Sequence, residues 1–181
     1  MDTLINNAGF GGQGAFLTRP AAADLAMLQV NAAVPTELMK LLLPKMVARG
    51  RGRVLNVVSI AACFPGPNQA EYFATKAYLA SLSTAIGAEL AGSGVTVTTL
   101  LPGPVETGFS QAGDLTKTWL FRPGSGADPV KVARQGYAAM LAGKPTVFAA
   151  VNSPLKLAAK TYPWLPHRLA LRVIAALQEK R

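Results

Sequence analysis

Three side chains in the stretch "SIAACFPGPNQAEYFATKAY", residues 59 to 78, are of types that do chemistry: Ser59, Tyr72 and Lys76. If "AEYFATKAYLASLSTAIGAEL" is helical, Tyr72 and Lys76 stand one turn apart on the same face, and the ammonium lies beside the phenol. A phenol of ordinary pKa about 10 is a poor acid–base partner near neutrality unless its ionised form is stabilised. An adjacent cation typically lowers such a pKa by roughly 1 to 3 units, so the pair reads as an acid–base group. The competing reading is an ordinary loop running into an amphipathic helix, with Ser59 a strand-end hydroxyl.

Such a group needs elements that hold it. "DTLIN", "RVLNVVSI", "VTVTTLL" and "TVFAAV" are short β-branched and aliphatic runs that predict four strands. Between the first two, "AADLAMLQVNAAVPTELMKLLLPKMVARG" is long enough for a helix pair or one bent helix, with the break expected at Pro35 and the stop at Gly50. The helix carrying Tyr72 follows and ends near Gly92 and Gly94. A third helical stretch has Asp128 as cap, Pro129 at its first position and Gly143 as stop. Strands alternating with helices predict an α/β fold with a parallel sheet and helices on its faces.

In such sheets ligands bind beyond the carboxyl ends of the strands. "NNAG" follows the first strand, Ser59 the second and "PGPVETGF" the third, so all three face one crevice. Asn6 and Asn7 also suit a turn that ties a strand end, and Asn31 inside a helix would more often be an exposed or capping amide.

Taken in order, Asn6, Asn7, Ala8 and Gly9 as "NNAG", Asn31 in "LQVNAAVP", Ser59 in "NVVSIAA", Tyr72 and Lys76 in "YFATK", and "PGPVETGF" from Pro102 to Phe109 resemble the short-chain dehydrogenase/reductases over residues 1 to about 150. The resemblance implies the C-terminal part of a Rossmann-type doubly wound parallel sheet of about four strands. It also implies hydride transfer between NAD or NADP and a small alcohol or carbonyl compound. Tyr72 would be the acid–base residue, Ser59 would hold the substrate oxygen, Lys76 would also bind the nicotinamide ribose, and Asn31 would link Lys76 to solvent through water. Asn7, Ala8, Gly9, Pro102, Gly103, Val105 and Thr107 would border the nicotinamide. Phe109, Trp119, Leu120 and Phe121 fall where the family has a mobile lid and suggest an apolar substrate, with Cys63 and Phe64 as further candidates for the pocket. The glycine-rich TGxxxGxG turn of the family has no counterpart, since "GFGGQG" at 9 to 14 follows "NNAG" instead of opening a helix. The chain thus reads as the catalytic half of an enzyme, with an exposed edge strand. The alternative is a non-catalytic remnant that keeps the serine, tyrosine and lysine but cannot hold the dinucleotide.

Composition bounds the rest. At 181 residues, half of them apolar, the chain can bury one sizeable core. The lone Cys63 excludes an internal disulfide framework and suits a reducing, cytoplasmic setting; no metal-ligating cluster or membrane span is visible. Of the net charge of +9, the segment 152–181 carries +5 and residues 1–151 only +4, which argues against nucleic acid and for a solvated basic tail. Residues 1–151 are therefore expected to form the catalytic part and 152–181 a basic amphipathic helical tail. After Pro166 that tail places Arg168, Arg172 and Glu179 on one side and Leu169, Ala170, Val173, Ile174 and Leu177 on the other. Docking on its own body or on a second copy is the expectation. Peripheral membrane contact, with Tyr162 and Trp164 at the interface, is the alternative.

Overall fold

The four aliphatic runs form one parallel sheet of strands β1 (Thr3–Asn6), β2 (Gly52–Val57), β3 (Val95–Pro102) and β4 (Thr146–Ala149), in the order β1-β2-β3-β4. The computed structural model describes residues 1–115, 126–164 and 167–178. Register pairs Thr3 with Arg53, Gly52 with Val95 and Thr99 with Thr146. The inner strands read as nearly continuous apolar runs because both of their faces are covered. On one face Leu4, Val54, Val97 and Leu101 pack with Met39, Leu43 and Leu79; on the other Leu55 and Leu100 pack with Val132 and Met140.

The first helical stretch is α1 (Ala21–Leu28) and α2 (Val34–Ala48), joined through a π turn over Gln29–Ala33. The break therefore precedes Pro35, which lies in the first turn of α2. The backbone stays helical through this turn, with Val34 N donating to the Gln29 carbonyl, and the wider π register accommodates a proline that cannot donate. The π turn contains Asn31, which is 1% exposed. Helix α3 (Ala70–Glu89) carries Tyr72 and Lys76, and Glu71 in its first turn suits the positive end of the helix dipole. A short α4 (Phe109–Ala112) follows β3. In α5 (Pro129–Leu141) the Asp128 carboxylate accepts from Val130 N at 2.8 Å, and Pro129 takes the first position, as its sequence signals require.

The tail comprises α6 (Ser153–Thr161), a 3₁₀ turn (Tyr162–Trp164) and α7 (His167–Gln178). Asn152 caps α6 at Leu155 N, and Lys156 lies 5.4 Å from the ring centre of Phe148 on β4. Tyr162 meets Phe64 edge-on at 5.5 Å, while Ile174 packs on the cluster of Met27, Ala61, Tyr72 and Phe73. Arg168, Arg172 and Trp164 are exposed. Glu179 and the side chains of Leu169, Ala170, Val173 and Leu177 lie outside the described residues, as do Trp119, Leu120 and Phe121. No helix among the described residues is long and apolar enough to cross a membrane.

A chain of buried amides ties the edge strand to the body. Asn6 Nδ2 donates to Asn56 Oδ1 at 2.7 Å, Asn56 Nδ2 donates to Ser83 Oγ at 2.7 Å, and Ser83 Oγ donates to the Leu79 carbonyl. Asn56→Ala strips partners from two buried groups, each worth about 1–3 kcal/mol when orphaned. Urea unfolding should show a loss of about 3 kcal/mol; a loss under about 1 kcal/mol would show that the chain does not hold β1.

Candidate active site

Because every strand is parallel, the carboxyl ends of β1, β2 and β3 open at the same end of the sheet. The turn after β1 brings Asn7 and Gly9, the turn after β2 brings Ser59, and the turn after β3 brings Pro102, Gly103, Val105 and Thr107; all of them line one cavity of about 1180 Å³. Tyr72 and Lys76 enter it from α3. Ala8 is exposed and absent from the lining, and Cys63 is half-buried in the 3₁₀ turn Ile60–Cys63, whereas Phe64 does line the cavity.

Ser59 precedes that 3₁₀ turn, and its Oγ accepts from Ala61 N at 3.1 Å. The same side chain shares the cavity lining with Tyr72 and slightly favours the ionised phenol. Lys76 is 5% exposed; its Nζ donates to the Val57 carbonyl at 3.1 Å and stands 5.9 Å from the Tyr72 ring centre. Asn31 is held on both sides of Phe10: its Nδ2 donates to Phe10 O at 2.9 Å and its Oδ1 accepts from Phe10 N at 3.1 Å. The same Nδ2 also donates to Thr75 Oγ1 at 3.2 Å, and Thr75 donates to the Tyr72 carbonyl. A Cβ on Gly9 would lie 3.0 Å from Asn31 Oδ1 and 3.3 Å from Lys76 Nζ, so the glycine leaves the space that those two groups share.

The electrostatics depart from the expectation drawn from spacing. Burial pushes the Tyr72 phenol up to about 12, against the smaller lowering by Ser59. Burial likewise pulls the Lys76 ammonium down to about 8. The ammonium donates to Val57 and stands over the Tyr72 ring, yet desolvation of the phenol outweighs any attraction it offers a phenolate. Burial also pushes the Cys63 thiol up.

Spacing alone does not reveal the apolar wall. Phe109 tilts against Tyr72 at 5.3 Å between ring centres, and Phe64, Phe73 and Ile174 add to the apolar lining. Gln69 and Gln178 also face this cavity. Among the described residues no group of three or more His, Cys, Asp or Glu could hold a metal ion.

A parallel sheet covered by helices on both faces, with a cavity at the carboxyl ends of its strands, has the Rossmann-type architecture. A family model described as short chain dehydrogenase matches residues 1–117, and the chain belongs to that family. It is 33% identical over 120 residues to a short chain dehydrogenase of Pseudocercospora fijiensis, covering 65% of this chain and 39% of that one. It is 37% identical over 111 residues to the ketoacyl reductase HetN of a Nostoc species, covering 61% and 39%. The chain thus spans about two-fifths of the length of these relatives. A short-chain dehydrogenase of Burkholderia cenocepacia solved with NADP superposes with a TM-score of 0.78 at 26% identity, over 97% of this chain and 69% of that one. One of Sphingobium yanoikuyae solved with NADPH gives 0.79 at 21% identity, over 100% and 70%.

The two shifts set opposite pH slopes on stability. Lys76 has a folded pKa near 8 against 10.5 unfolded, so the unfolded chain binds more protons between these values. Its contribution is present above 10.5 and lost as pH falls through 8. Tyr72, near 12 against 10, contributes below 10 and loses that contribution as pH rises through 12. The difference in unfolding free energy between Lys76→Met and the parent chain should therefore shift in favour of the parent as pH is raised from 8 to 10. A difference independent of pH over that window would refute the burial of a strained ammonium.

Proposed function

We propose that this chain supplies the catalytic part of an NAD(P)-dependent oxidoreductase acting on an apolar alcohol or ketone. The carrying observation is that Ser59, Tyr72, Lys76 and Gly9 line a single cavity, with the Lys76 ammonium 5.9 Å from the Tyr72 ring centre and Gly9 against it. The residues present suit the nicotinamide-ribose end of the dinucleotide: Lys76 offers an ammonium, Asn7 an amide, and Gly9 a surface without a side chain, with Val105 and Thr107 across the opening. A bound nicotinamide would supply or accept the hydride.

The protein's own groups account for the proton. A phenol held protonated by burial is suited to give its proton to a ketone oxygen. Ser59, in the same lining and held by Ala61 N, can hold the same oxygen and fix its approach. Lys76, held to Val57, places positive charge where the phenolate forms, and its depressed pKa lets it pass a proton near neutrality. Asn31 braces this arrangement from behind by joining the turn at Phe10 to Thr75 on α3. Phe64, Phe73 and Phe109 favour an apolar body on the substrate.

With a nucleotide-binding half supplied upstream, Tyr72→Phe should lower turnover of an apolar ketone by at least about 100-fold, the usual worth of a general acid. Near-parental turnover in that variant would remove Tyr72 from the chemistry. For residues 1–181 alone, calorimetric titration with NADPH should give affinity in the millimolar range or weaker, because the contacts named reach only one end of the dinucleotide. Micromolar binding would point instead to a phosphate cradle in "GFGGQG", whereas a completed chain that binds NADPH and still turns over no ketone would favour the non-catalytic reading.

A further inference from the structure

Helix α7 reaches the cavity through two residues one turn apart. Ile174 lies against Tyr72 and Phe73, and Gln178 is 2% exposed at the end of the helix. Gln178 is gripped twice: its Oε1 accepts from Gln69 Nε2, and its backbone carbonyl accepts from Gln13 Nε2. The second bond satisfies one of the carbonyls that a helix leaves without partners at its C-terminus.

Both partners of Gln178 are anchored to the catalytic machinery. Gln69 stands just before α3, three residues ahead of Tyr72. Gln13 belongs to the glycine-rich stretch after "NNAG", which Phe10 fastens to Asn31. The same stretch donates from Gln13 N to Gly113 O at 3.2 Å and from Gly14 N to Asn68 O at 2.9 Å. A Cβ on Gly11 would come within 2.8 Å of the Phe109 ring, so the loop packs this closely only with glycine there. "GFGGQG" is thus a packed strap between Asn31, Phe109 and the tail.

We propose that α7 is a wall of the substrate cavity, with Ile174 limiting the bulk accepted beside Tyr72, and Gln178, clamped by Gln13 and Gln69, fixing where that wall stands. Apolar packing alone would tolerate sliding of the helix, but hydrogen bonds between buried amides form at one position and are costly to leave unmade. The clamp therefore sets a position, and Ile174 is the side chain which that position presents to the cavity. This rests on the reading of the cavity as a ketone site, and it narrows the substrate by shape.

The test needs no hydride transfer. Acetophenone and the bulkier benzophenone are titrated into residues 1–181, and their dissociation constants are read by ligand-observed NMR. Ile174→Ala should raise the affinity for benzophenone relative to acetophenone by roughly tenfold, the low end of what apolar pocket fit discriminates. Ile174→Trp should move the ratio the other way. Gln178→Leu, which keeps the bulk and the backbone bond to Gln13 but removes the bond to Gln69, should weaken the discrimination that the parent shows and lower the melting temperature by about a few degrees. An unchanged ratio in Ile174→Ala, with circular dichroism and melting intact, overturns the proposal; so does failure of both probes to bind the parent. If Ile174→Trp does not fold, Ile174→Ala decides alone. A ratio that shifts in a chain inactive even with its nucleotide half supplied keeps the wall and discards only the catalytic reading. An active enzyme with an unshifted ratio discards only the wall.

Discussion

A lysine ammonium placed where water scarcely reaches is the constraint on which the site depends. Lys76 is 5% exposed, and a buried cation is tolerated only where polar groups meet it. Here the Val57 carbonyl at the end of β2 does so at 3.1 Å. That carbonyl is accessible because β2 ends there, with the turn to Ser59 beginning one residue later. The position of α3 over the sheet, the end of β2 and the glycine at position 9 are all conditions for one side chain. The same burial holds the Tyr72 phenol protonated, so the lysine and tyrosine are tuned by a shared dry environment more than by each other.

Asn31 distributes this constraint. A π turn places it inward between α1 and α2, and π turns recur at functional positions because the extra residue redirects a side chain that regular helix would point elsewhere. Its amide binds both backbone polar groups of Phe10 and the hydroxyl of Thr75. The loop after β1 and the foot of α3 thereby become one rigid unit. Gly9, carried by that unit, is kept against Lys76.

Much of this is legible in the sequence, for identifiable reasons. Strands covered on both faces are mostly aliphatic and β-branched, so the runs at Val54 and Val97 announce themselves. Asp128 and Pro129 mark the start of α5 because their chemistry is local. Tyr72 and Lys76 are legible as a pair because helical spacing fixes their relation. Pro35 signals the break, but its form, a π turn placed over the five residues Gln29–Ala33, is not legible. Nor is the direction of the tyrosine's shift, which depends on how much water is excluded by residues from several elements. The Gln69–Gln178 contact spans 109 residues, and no local pattern reports a pairing of that kind. Asn56 does leave a trace, a lone amide inside an aliphatic strand, whose meaning emerges only with Asn6 and Ser83 around it.

The all-parallel sheet also governs how this molecule comes together in time. Among the described residues no two strands are joined by a hairpin: Thr3 meets Arg53, Gly52 meets Val95 and Thr99 meets Thr146, separations of 50, 43 and 47 residues. Each ladder must close a long loop before its first hydrogen bond forms, and loop-closure entropy is spent before such distant contacts repay it. The helices, whose contacts are local, form on far shorter timescales than such ladders. The crevice at the strand ends is therefore a product of late assembly: Tyr72 and Lys76 acquire their mutual spacing with α3, and acquire their dry surroundings only when the last strand has found its register.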